Sequence, residues 1–172
     1  MPNIILVQND YNSYHDLRRV INYISRSGIV GAYAADCNYA CEQFIMVKEA
    51  FAKRDYIQLK HFIISFSSQD FYRLTIDECL QLGFKIGKTF KEYQMVYAVH
   101  YDTEHIHLHV VMNTTSFVDG RQYSDGIRGF SNLKRVLQRL FPKSNVRLYF
   151  SYPKSECNRF SYTSEDEFLR IG

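Results

Sequence analysis

Residues 93–115 read YQMVYAVHYDTEHIHLHVVMNTT. Two apolar runs, Tyr93 to Tyr101 and His105 to Thr114, flank a polar turn at Asp102-Thr103. Side chains alternate along a strand, so His105, His107 and His109 share one face while Ile106, Leu108 and Val110 take the other. A tight turn pairs residue 100 with 105 and 98 with 107. Directly paired residues share a face, which places His100 beside the other three, diagonal to His107. The stretch predicts an antiparallel hairpin with one apolar face and one histidine face.

Working outward, Ile4 to Val7 is a short apolar run that reads as a strand. Ser13-x-x-Asp16 is a capping box, opening a helix whose stripe is Leu17, Val20, Ile21 and Ile24 and which Gly28 stops. Tyr23 lies at the edge of that stripe. Residues 29–38 carry no decisive pattern. Ala40 to Arg54 reads as a helix and Ile57 to Phe66 as a strand. Thr75-x-x-Glu78 caps a helix running to about Phe90. A turn at Asp119-Gly120 predicts a strand around Arg121 to Tyr123. Ser131 to Phe141 is a basic helix ended by Pro142, and Tyr149, Phe150 and Tyr152 fall in a last strand. Strands and helices mixed without a strict βαβ rhythm predict an α+β fold on an antiparallel sheet.

A chain of 172 residues fills one core, so residues 1–172 are expected to form a single domain. The net charge of +3 is unevenly spread. Between Arg121 and Arg147 stand seven basic residues (Arg121, Arg128, Lys134, Arg135, Arg139, Lys143, Arg147) against Asp125 alone. This suits a polyanion and, on charge alone, equally a solvated helix face. Among the 14 Tyr and 13 Phe, rings fill a core or stack on unpaired bases. Four cysteines without framework spacing read as reduced thiols, and no apolar run is long enough to span a bilayer, so a soluble cytoplasmic protein is expected.

One solvent-facing histidine on a strand is ordinary. Four crowded on one face around a turn favour a metal site over a solvated surface, because the rings repel if protonated together. His107 and His109 are the firmest ligands, with His100 third. His105, nearer the turn, is assigned to orienting another group or meeting DNA. Asp102 and Glu104 are candidates to accept the distal N–H of a ligand ring, against plain turn chemistry and a solvated charge.

These residues resemble a known family. His107-Leu108-His109 matches the histidine–hydrophobic–histidine pair of the HUH endonucleases. The longer segment from His100 through Asp102 to His109, followed by Asn113, is similar to the metal motif of MobA/VirD-type conjugative relaxases. Asn22-Tyr23-Ile24-Ser25-Arg26-Ser27-Gly28 resembles the family's first motif, whose tyrosine is the nucleophile. His61-Phe62-Ile63-Ile64-Ser65-Phe66 resembles the second, an apolar strand ending in Ser-Phe that helps hold DNA. The three occur in the family's order, with the tyrosine ahead of the histidine pair.

The resemblance implies a central sheet of about five strands with flanking helices, carrying a divalent metal, Mn²⁺ or Mg²⁺, on His100, His107 and His109. It makes Tyr23 the nucleophile, which nicks single-stranded DNA at a transfer origin, forms a 5′-phosphotyrosine link and religates by the reverse reaction. It gives supporting roles to Asp102, Glu104, His105 and Asn113. Arg26 and Ser65 are expected to hold DNA, with Arg121, Lys134, Arg135 and Arg139 following phosphates. Implied partners are accessory relaxosome proteins and a coupling protein, with no membrane. Relaxases continue well beyond this length, so a truncated chain is one expectation and functions housed elsewhere the other. Two rivals stand beside it: a replication initiator or transposase using a late tyrosine such as Tyr123 or Tyr149, and a non-catalytic metal-stabilised nucleic-acid-binding module.

Overall fold

A computed structural model of the chain describes residues 2–67, 74–101, 106–124, 126–143, 145–154 and 157–164. Among these residues seven strands form one sheet: β1 (Asn3–Val7), β2 (Val30–Tyr33), β3 (Leu59–Ser65), β4 (Met95–His100), β5 (His107–Asn113), β6 (Arg147–Lys154) and β7 (Cys157–Ser164). Their spatial order is β2-β4-β5-β3-β1-β6-β7. All neighbours are antiparallel except β1 and β6, which run parallel. Among the described residues, four helices flank the sheet: α1 (Tyr14–Ile24), α2 (Ala40–Ala50), α3 (Ile76–Thr89) and α4 (Gly126–Leu140). The class is α+β, as expected, with more strands than the five anticipated. None of these helices is long and apolar enough to cross a membrane.

Both capping boxes form. Ser13 Oγ accepts from the backbone N–H of Asp16 at 3.2 Å while the Asp16 carboxylate accepts from Ser13 N–H. Thr75 and Glu78 exchange the same pair of bonds. Each box satisfies two of the donors that a helix start leaves unpaired. Gly28, at φ 72°, takes the left-handed conformation that ends the 3-10 turn Ser25–Ser27 after α1.

The sheet separates two cores. Helices α1 and α2 pack Leu17, Val20, Ile21, Ile24 and Phe44 on one face, against Leu59, Val96, Ala98 and Val111. Helices α3 and α4 pack Leu82, Ile86, Phe130, Leu133 and Leu137 on the other, against Phe62, Ile64, Tyr97, Leu108 and Val110. Burying such side chains contributes about 1.5–3 kcal/mol each. The buried Tyr97 ring lies between two glycines. A Cβ on Gly31 would stand 2.4 Å from Tyr97 Cε2, and one on Gly83 would stand 2.4 Å from Tyr97 Cδ2.

A polar island sits at the far end of the first core. Lys48 is fully buried on α2, and its Nζ donates to Thr114 Oγ1 and Thr115 Oγ1 at 3.2 Å each. Burial pushes the amine down to about 7. Thr114 Oγ1 also donates to the Ile57 carbonyl, and Thr115 Oγ1 accepts from Gln122 Nε2 at 2.7 Å.

Three expectations need correction, and two strands went unanticipated. The hairpin pairs His100 with His107 and Ala98 with His109, a shift of two residues from the tight-turn register. The shift is even, so every residue keeps its face. Around Arg121 to Tyr123 there is only an isolated bridge, Thr115 to Gln122, rather than a strand. Helix α2 stops at Ala50, before the expected Arg54. Residues 29–38 hold the edge strand β2, and β7 was not anticipated at all.

Candidate active site

Rows of paired residues run across the sheet on the face carrying the histidines. One row is His100, His107, Ser65, Asn3, Arg147; the next is Ala98, His109, Ile63, Ile5, Tyr149; the third is Val96, Val111, His61, Val7, Ser151. Helix α1 lies over the β4–β5 end of this face, so its C-terminal turn brings Tyr23 down beside the histidines. Farther along, Ile63, Ile5, Val7 and Tyr149 are only half-buried, and Arg147 is exposed.

Tyr23 is 47% exposed, and its ring centroid is 5.9 Å from those of both His100 and His109. The rings of His100 and His109 are 4.3 Å apart, and those of His107 and His109 are 6.4 Å apart. His100 Nε2 lies 2.7 Å from the carbonyl oxygen of Ile24. A carbonyl only accepts, so Nε2 carries the proton of this bond, and Nδ1 is the nitrogen left outside it. The bond also satisfies one of the carbonyls that the end of α1 leaves without a partner. A histidine of the cluster therefore pins the helix end that bears Tyr23.

Beneath the cluster lies a histidine that sequence reasoning did not place there. His61 is buried on β3, and its Nε2 is 3.2 Å from His109 Nδ1, with the two rings stacked 5.4 Å apart. Burial, then the neighbouring His100 charge, lowers His61 to about 4. Burial, then the other three histidines, lowers His109 to about 2. Both rings are thus held neutral near physiological pH. The sequence offered two signals, its place at the head of the second motif and its parity: His61 sits four residues before Ser65 on the same strand face, which means nothing until β3 is known to pair with β5.

The other candidates distribute unevenly. Ser65 pairs with His107 and flanks the cluster. Arg26 is exposed, three residues beyond Tyr23. Asp102, Glu104 and His105 lie outside the described residues. Asn113 is buried at the opposite end of β5, about 13 Å of strand beyond His109, donating to the Phe44 carbonyl and to Gln94. Arg121 is also at that end, paired with Glu92 at 3.2 Å and Asp119 at 3.3 Å. Lys134, Arg135 and Arg139 ride on α4, which packs on the other face of the sheet. The structure does not bring these five to the histidines.

Among the described residues no group of three or more His, Cys, Asp or Glu side chains is arranged to hold a metal ion. The donor chemistry nevertheless fits a divalent cation. His100 and His109 are imidazoles with one nitrogen engaged in a hydrogen bond, leaving the other for a ligand bond as ligating histidines do. These nitrogen donors stand beside the half-exposed ring of Tyr23.

The chain belongs to the relaxase family: residues 22–146 match its MobA/VirD2-like nuclease domain. It is 25% identical over 132 residues to a protein rlx of Staphylococcus aureus, covering 76% of this chain and 39% of that protein. A second rlx of the same species is 30% identical over 107 residues, 61% of this chain and 33% of that protein. The group II intron-interrupted relaxase LtrB of Lactococcus lactis subsp. cremoris is 35% identical over 77 residues, 44% of this chain and 13% of that protein. The chain thus spans two fifths or less of these relatives. No solved structure matches it.

Proposed function

We propose that residues 1–172 form one nicking domain that cuts single-stranded DNA at a transfer origin by attack of Tyr23, in conjugative transfer or mobilisation of a plasmid or integrative element. The Tyr23 oxygen bonds to the scissile phosphorus as its proton departs. The P–O3′ bond breaks, leaving a 5′-phosphotyrosine and a 3′ hydroxyl. The phosphodiester bond energy is retained, so the reverse reaction religates. His100, His107 and His109 hold the divalent cation, Mn²⁺ or Mg²⁺; when bound there it supplies positive charge to the phosphate oxygens. Because the ligands are neutral, that charge is not cancelled by the protein. Ser65 and Arg26 hold the strand on either side. Accessory relaxosome proteins and a coupling protein are the partners this role requires, in the cytoplasm.

The observation that carries this reading is the half-exposed Tyr23 ring packed 5.9 Å from both His100 and His109. The late-tyrosine rival fares worse. Tyr123 is buried against Phe90, Tyr93 and Phe130 in the other core. Tyr149 shares a row with His109 but stands three strands away, about 14 Å.

Labelled single strands tiling the DNA beside the coding sequence, incubated with the protein and Mn²⁺, should yield a covalent adduct seen as a mass shift. Tyr23→Phe should abolish it, while Tyr149→Phe should leave it. An adduct persisting in Tyr23→Phe overturns the assignment. Repeated cutting with no protein-linked product points to hydrolysis, and binding without cutting to a non-catalytic module.

A further inference from the structure

We propose that His61 is a positioning residue for the histidine cluster: its Nε2 accepts the Nδ1–H of His109, fixing the tautomer in which His109 Nε2 keeps its lone pair for a cation. This rests on the reading of His109 as a ligand.

The two nitrogens are 3.2 Å apart, and both residues are buried. Two facing lone pairs would repel and two facing N–H groups would collide, so one proton lies between them. Water does not compete at this depth, and an unmade bond there costs about 1–3 kcal/mol. The backbone fixes the approach: β3 pairs Ile63 with His109, setting His61 one diagonal step away on the same face. If His61 donated instead, His109 would carry its own proton on Nε2 and have no lone pair left for a ligand bond.

A carboxylate is a common acceptor behind a ligating histidine. Here a buried carboxylate would add a negative charge in a dry site and offset the cation's charge. The neutral ring of His61 accepts the same proton without that offset. His100 reaches a similar end by another route, giving its Nε2–H to the Ile24 carbonyl. Each of the two rings is oriented by a bond to an uncharged acceptor.

The test begins on the metal-free protein labelled with ¹⁵N, where long-range proton–nitrogen correlations report which ring nitrogen carries hydrogen. His109 is expected as the Nδ1–H tautomer. A His109 found as Nε2–H overturns the proposal whatever any variant does. His61→Leu removes the acceptor. It should shift His109 toward the Nε2–H form and weaken Mn²⁺ binding, measured by calorimetry, by about 10- to 100-fold. His61→Gln offers a side-chain oxygen and should recover most of that loss; unchanged Mn²⁺ affinity in His61→Leu refutes the role. His109→Ala separates the two claims. If Mn²⁺ binding survives it, the ligand reading falls and takes the role with it, even with the tautomer as expected.

Discussion

Replacing Lys48 by Met should stabilise the protein near neutral pH and remove a pH dependence that the wild type shows. Lys48 is fully buried, with its amine held at about 7 against an ordinary 10.5. Between those values the unfolded chain binds a proton that the folded chain does not, so stability rises with pH across the window; below about 7 both states are protonated and the slope vanishes. With those two values, burial costs about 4 kcal/mol at pH 7 and about 2 kcal/mol at pH 9. The wild type should therefore gain about 2 kcal/mol over that interval from this group. Met fills a similar volume. Its loss is two hydrogen bonds worth about 1 kcal/mol each, and neither threonine is orphaned, since Thr114 keeps the Ile57 carbonyl and Thr115 keeps Gln122. The net expectation at pH 7 is a gain of about 2 kcal/mol. Urea unfolding of both proteins at the two pH values measures it. The Cys79 thiol, pushed up to about 11 by burial, acts in the opposite direction as pH rises. That contribution is common to both proteins and cancels in their difference. Equal pH dependence in the two proteins would refute the placement of Lys48.

Two further perturbations test the packing and the sheet face. Gly83→Ala gains about 1 kcal/mol of helix propensity but drives a Cβ to 2.4 Å from the Tyr97 ring, an overpacking cost of about 1–3 kcal/mol; a thermal melt should show net destabilisation, and a raised Tm would show that the ring has room to move. Arg147→Ala removes an exposed cation in the row of His107 and Ser65. Single-stranded oligonucleotide affinity should fall equally for unrelated sequences, and the slope of log affinity against log salt should drop by about 1; an unchanged slope would place the strand elsewhere.

Much of this is legible in the sequence because it depends on neighbours in the chain. The capping boxes at Ser13 and Thr75 are three-residue patterns, and they form as written. Strand parity is equally local. His107 and His109 face away from Leu108 and Val110 in any register, and His100 joins them after any even shift. That is why the hairpin could be mispaired by two residues without disturbing its histidine face. The order of Tyr23 ahead of the histidines, and the spacing within each motif, pointed to the relaxase family that the match over residues 22–146 establishes.

Three-dimensional packing decided which distant segments meet. Asn113 follows His109 by four residues in sequence, yet the extended strand carries it to the other end of the sheet. The basic character of α4 was plain, but its apolar stripe fits the core opposite the histidines, so its charges ride with it to that face. His61 is the converse case, a motif residue with no assigned role until β3 pairs with β5 and sets its ring under His109. Local periodicity dictates which way a side chain faces. Only the pairing of strands far apart in the chain, driven by burial of both sheet faces at once, dictates what it meets.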